Sequence, residues 1–99
     1  MFELIFTETA NHTLDKLQKN PAKQGLVKQV KKSLGFLQTN PKHPSMHSHP
    51  YGAITNPLDP DAKVFEAYAQ NNTPGAYRIF WSYGPQKNQI TIIAITPHP

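Results

Sequence analysis

Three runs in the last third of the chain constrain its fold most: Val64-Phe-Glu-Ala-Tyr-Ala-Gln-Asn, Ala76-Tyr-Arg-Ile-Phe-Trp-Ser-Tyr-Gly and Gln89-Ile-Thr-Ile-Ile-Ala-Ile-Thr-Pro-His-Pro. Each is rich in β-branched and aromatic residues and reads as a strand. The first pair is joined through Asn71-Asn72-Thr73-Pro74-Gly75 and the second through Gly84-Pro85-Gln86-Lys87-Asn88. Both links carry the residues that tight turns demand, and their lengths favour antiparallel hairpins, so the three strands form a meander. The middle strand holds the sole arginine of the sequence, Arg78. A guanidinium in an apolar strand must reach solvent, pair with an anion or belong to a site, because a buried and unpaired charge is costly. A meander brings Glu66 and His98 towards it, and the three side-chain types suggest a general base, a phosphate clamp and a general acid.

The N-terminal half is helical. Met1 to Phe6 has the character of a short strand, and Thr7, Glu8 and Thr9 follow as capping residues with an acid in the first turn. Ala10, Leu14 and Leu17 then recur at helical spacing. Asn20-Pro21 ends that helix and starts another, since asparagine caps and proline suits the first helical position. In the second helix Leu26, Val30, Leu34 and Leu37 make one apolar stripe, Lys28, Lys31 and Lys32 lie off it, and Asn40-Pro41 stops it. Their short connection implies an antiparallel helical hairpin. Residues 41–63 show no period of 2 or 3.6 and are rich in proline, histidine and serine, which predicts a long functional loop with at most a short turn or strand. The expected fold is α+β: an N-terminal strand and a helical hairpin packed on one face of a small antiparallel sheet.

The 99 residues suit one domain spanning 1–99. The net charge of +4 and the pI of about 9.5 are compatible with a nucleic-acid partner. There is no cysteine, which excludes disulfides, a thiolate nucleophile and thiolate zinc sites, and fits a reducing cytoplasm. The apolar stretch at Phe2 to Phe6 is too short for a signal or membrane segment, so no membrane partner is expected.

The element order, with Asn40-Pro-Lys-His-Pro-Ser, Val64-Phe-Glu-Ala-Tyr, Ala76-Tyr-Arg-Ile-Phe-Trp and Ile95-Thr-Pro-His-Pro, resembles the RelE/ParE superfamily of type II toxin–antitoxin toxins along nearly the whole chain. The RNA-cleaving branch of that superfamily binds messenger RNA on the ribosome, whereas another branch inhibits DNA gyrase and lacks the nuclease residues. The resemblance implies a metal-independent endoribonuclease held inactive by a cognate antitoxin, with the ribosome and mRNA as further partners and no cofactor. A ParE-like gyrase inhibitor and a RelE-like protein without toxicity are the alternatives.

Metal-free RNA cleavage needs a base for the 2′-hydroxyl, positive charge at the phosphorane and an acid for the departing 5′-oxygen. Arg78 matches the family's mid-sheet arginine and takes the second part, although pairing with Glu66 across the strands would also explain it. Glu66, flanked by residues of buried type, is the candidate base. His98, beyond the last strand, is the candidate acid, imidazole being suited to proton transfer near neutrality. His43, His47 and His49 cluster in the long loop. Their spacing, with no carboxylate fixed beside them, makes a weak metal motif, and no bound metal is expected. His49 is instead a reserve imidazole for the RNA site, as a loop histidine is in some relatives. Lys28, Lys31, Lys32, Lys42 and Lys63 are candidate phosphate contacts, and Tyr83 is a candidate base-stacking residue. Since Tyr77, Trp81 and Tyr83 alternate with Arg78, Phe80 and Ser82, at most one set faces the site.

Overall fold

The computed structural model describes residues 1–71, 73 and 75–98. Asn72, Pro74 and Pro99, which figure in the expected hairpin turn and beside His98, lie outside the described residues. The chain runs through β1 (Glu3–Phe6), α1 (Glu8–Gln18), a 3-10 turn (Pro21–Lys23), α2 (Gln24–Thr39), a second 3-10 turn (Pro44–Met46), β2 (His49–Pro50), β3 (Phe65–Tyr68), β4 (Tyr77–Tyr83) and β5 (Gln89–Pro97). The α+β class and the β3–β4–β5 meander are as the sequence predicts. The sheet has the order β1-β5-β4-β3-β2. Strands β2 to β5 are antiparallel, while β1 joins the β5 edge in parallel, with Glu3 opposite Gln89 and Phe6 opposite Ile92.

Local chemistry explains where the helices start. The Thr7 hydroxyl accepts from the Ala10 N–H at 3.1 Å and donates to the Ile93 carbonyl at 2.7 Å, so one side chain caps α1 and ties it to β5. Asn20 accepts from the Ala22 N–H, and Pro21 opens the 3-10 turn that leads into α2. Loss of an N-cap side chain costs about 1–2 kcal/mol, and Thr7 has a second bond at stake. Thr7→Ala is therefore expected to lower the unfolding free energy by about 2 kcal/mol, with Thr7→Ser retaining most of it. Urea denaturation of both variants reads this directly, and equal stabilities would remove the dual role.

The helical hairpin covers one face of the sheet. Leu26, Val30, Leu34 and Leu37 are all buried there, as their spacing predicts, against Ile79, Trp81, Ile92 and Ile95. Among the described residues no helix belongs to the apolar cluster on the opposite face. A small cluster of Val64, Phe80 and Ile93 lies there, with Tyr51 and Ile54 from the long loop packed against it. Alternation along β4 thus sends Ile79 and Trp81 to the helices and Phe80 to the loop side. Arg78 shares the face of Phe80, and so does Glu66, its register partner being Phe80.

Candidate active site

Glu66 sits in β3 with its side chain only 3% exposed, between two histidines. His49 of β2 is its cross-strand neighbour, and the His49 Nε2 lies 2.9 Å from Glu66 Oε1. His98 follows β5, where its N–H donates to the Ala76 carbonyl at 2.8 Å and so extends the β4–β5 ladder by one residue. That tie sets its Nε2 4.0 Å from Glu66 Oε2. The two imidazoles are 44% and 48% exposed. An approaching molecule therefore meets the rings first and the carboxylate between them. Among the described residues Oε2 has no hydrogen-bond partner, so this buried carboxylate oxygen has acceptor capacity to spare.

Arg78 stands one register step away, opposite Tyr68 in β3 and Thr96 in β5. Its guanidinium carbon lies 3.7 Å from the Tyr68 ring centroid, and its Nη1 donates to the carbonyls of Gln70 at 2.9 Å and Tyr77 at 3.4 Å. The side chain is buried, and its Nε has no hydrogen-bond partner among the described residues. No ion pair joins Arg78 to Glu66 among the described residues, so the cross-strand pairing considered from sequence is replaced by a cation–π stack and carbonyl contacts. Such contacts hold a guanidinium in place without cancelling its charge. An anion brought to this face would find that charge already oriented.

The remaining candidates separate. Tyr83 packs against Phe2, Phe65 and Trp81 at 5.0–6.0 Å between ring centroids, on the helix side of the sheet, away from Glu66. Lys28, Lys31 and Lys32 are exposed on α2, which covers that same side. Lys42 and Lys63 are exposed at the two ends of the long loop. Of the loop histidines, His43 stacks on Phe36 at 4.2 Å and accepts from the Ser45 N–H, a role in closing the 3-10 turn. His47 and His49 both pack on Tyr68, at 5.2 and 6.1 Å. Among the described residues no group of three histidines and carboxylates is arranged to hold a metal ion. Tyr68 was not singled out from sequence as a site residue, although its period-two spacing from Glu66 was the signal that places it there.

The arrangement joins a buried carboxylate, two half-exposed imidazoles and a stacked guanidinium on the sheet face opposite the helical hairpin. No protein-family model and no curated protein matches this sequence. Solved structures do match. A YoeB/ParE toxin from Agrobacterium tumefaciens superposes with a TM-score of 0.71 at 11% identity, covering 99% of this chain and 100% of that one. The toxin in the heterotetrameric YoeB–YefM toxin–antitoxin complex from Staphylococcus aureus gives 0.68 at 15% identity, covering 100% and 99%. An archaeal RelE–RelB complex from Pyrococcus horikoshii gives 0.66 at 13% identity, covering 97% and 93%. The protein has the RelE/ParE toxin fold. At these identities the likeness is one of fold, and activity has to be argued from the site.

Proposed function

We propose that the protein is a type II toxin that inhibits translation by cutting mRNA on the ribosome without a metal, and that a cognate antitoxin neutralises it. The observation that carries this reading is the Glu66 carboxylate set between two half-exposed imidazoles beside a guanidinium that, among the described residues, pairs with no carboxylate. Glu66 Oε2 takes the 2′-hydroxyl proton, and the freed electron pair forms the new bond to phosphorus. His98 gives a proton to the 5′-oxygen as its bond to phosphorus breaks, and Arg78 stabilises the charge of the phosphorane between. The products are a 2′,3′-cyclic phosphate and a 5′-hydroxyl. The 4.0 Å gap from Oε2 to the His98 Nε2 gives the transferred proton a short return path, which restores both groups for the next turnover.

The exposed lysines at 28, 31, 32, 42 and 63 add a distributed positive surface for ribosomal RNA, and Tyr83 remains available for stacking only at a second contact on the helix side. An antitoxin partner is supported by the RelE–RelB and YoeB–YefM complexes of the structural neighbours. Among the described residues no helix is long and apolar enough to cross a membrane, and translating ribosomes put the activity in the cytoplasm.

Induced expression followed by mapping of mRNA 5′ ends tests this reading. New ends within translated regions, absent for a Glu66→Gln and Arg78→Ala double variant, are expected. Replication arrest with intact mRNA would instead select the ParE-like gyrase inhibitor. Unimpaired growth with intact mRNA would select a RelE-like protein without toxicity.

A further inference from the structure

The two ring nitrogens of His49 are both committed. Its Nδ1 lies 2.8 Å from the His47 carbonyl oxygen, and its Nε2 lies 2.9 Å from Glu66 Oε1. A carbonyl oxygen only accepts hydrogen bonds, so Nδ1 carries a proton. The 2.9 Å contact between Nε2 and Oε1 is a hydrogen bond whenever the ring also carries a proton on Nε2. The loop backbone enforces this. His47 adopts a left-handed conformation with φ of 51° at the end of the 3-10 turn, its N–H bonded to the Pro44 carbonyl. Such a backbone is uncommon for a residue other than glycine and persists where its surroundings hold it. Neither nitrogen of His49 is left for an incoming RNA.

We infer that His49 is a positioning residue for Glu66: clamped by the His47 carbonyl, it holds Oε1 and leaves Oε2, buried and without a hydrogen-bond partner among the described residues, as the carboxylate oxygen with acceptor capacity for a 2′-hydroxyl. The inference rests on the RNA-cleaving reading of the site and divides its labour. Imidazole orienting a carboxylate inverts the familiar arrangement in which a carboxylate orients an imidazole. Glu66, at 3% exposure, cannot search for its substrate by changing rotamer, so whatever fixes its two oxygens decides whether it works. The ionisable groups facing the His49–Glu66 pair are His47 from the loop, Tyr68 from β3, with Arg78 of β4 stacked on it, and His98 after β5.

Two measurements on the whole protein test this. In long-range ¹⁵N–¹H spectra of histidine-labelled protein, His49 is expected to show a protonated Nδ1 at every pH where the protein is folded. A neutral ring protonated only at Nε2 would overturn the clamp. In ribosome-dependent cleavage, His49→Ala is expected to lower kcat by about 10- to 100-fold, the range for groups that orient a reacting partner, with little change in KM. His49→Gln, whose amide can still donate to Oε1, should recover most of the loss, and both limbs of the pH–rate profile should survive in each variant. A His49→Gln protein as slow as His49→Ala and missing one limb would make His49 itself the acid or base. Undiminished cleavage by His49→Ala would remove any role. If the wild-type protein cuts no mRNA, the proposed function falls, and the spectra still decide the clamp.

Discussion

Arg78→Ala is expected to reduce ribosome-dependent cleavage by about 100-fold or more, the cost of removing one preorganised donor from a site of developing charge. Growth inhibition should disappear with it. The structure adds a second consequence. Arg78 is stacked on Tyr68 and bonded to the Gln70 carbonyl, so truncation also leaves an acceptor without its charged donor and a void beside the ring. A stability loss of about 1–3 kcal/mol is expected for such an unmade bond. Circular dichroism and urea unfolding of the same preparation separate the two effects. Arg78→Lys should restore stability better than activity, because an ammonium reaches the carbonyl but lacks the planar fork that both the ring and a phosphate require. Full toxicity in a folded Arg78→Ala protein would end the role assigned to the guanidinium.

The second large effect concerns the proton-transfer pair. Glu66→Gln and His98→Ala are each expected to slow cleavage by about 10²–10⁴-fold, the usual contribution of a positioned base or acid. The pH dependence tells them apart. A base works only when ionised, so the rate rises with pH through its titration, and Glu66→Gln should abolish that ascending limb. An acid works only when protonated, so the rate falls as pH rises, and His98→Ala should abolish the descending limb. RNA binding by His98→Ala should be weakened much less than kcat, since help to a leaving group appears chiefly in the transition state. Glutamine keeps an acceptor towards His49 Nε2, so Glu66→Gln tests chemistry more than architecture. A His98→Ala protein that cleaves at the wild-type rate with an unchanged profile would send the search for the acid to a tyrosine, or to His49.

The meander and both helices were legible because each rests on local rules: turn residues of fixed type, an apolar stripe through Leu26, Val30, Leu34 and Leu37, and a threonine at the start of α1, whereas Asn20-Pro21 opens a 3-10 turn and α2 itself starts at Gln24 without a side-chain cap. The even-numbered face of β4 was likewise implied by period two. What sequence could not provide was register. Arg78 lies opposite Tyr68, and Glu66 lies opposite Phe80, so the charge meets a ring instead of a carboxylate. That offset depends on how many residues the hairpin turn consumes, which composition alone leaves open. A short turn and strand in the long loop were expected, but the place of the strand at His49 and the left-handed His47 were hidden for a related reason. Neither has a periodicity, and both exist only because the loop folds back on β3. The parallel pairing of β1 with β5 was hidden by distance along the chain.

That pairing has a consequence for when the protein comes into being. Glu3 and Gln89 pair 86 positions apart, and Thr7 reaches Ile93 over the same separation. At a synthesis rate of about 5–20 residues per second, β1 waits about 4–17 s for the strand that completes it, and the helical hairpin waits for the same strand. Contacts of such long range also slow folding itself, since the loop must close before the pairing is rewarded. During that interval Leu26, Val30 and Leu37 lack the isoleucines of β5, and the Glu66–His98 pair does not exist, because His98 is set by the last rung of the β4–β5 ladder. A nascent chain thus exposes apolar surface before its candidate site is assembled, and on the proposed reading the order of synthesis delays activity until the last strand is in place.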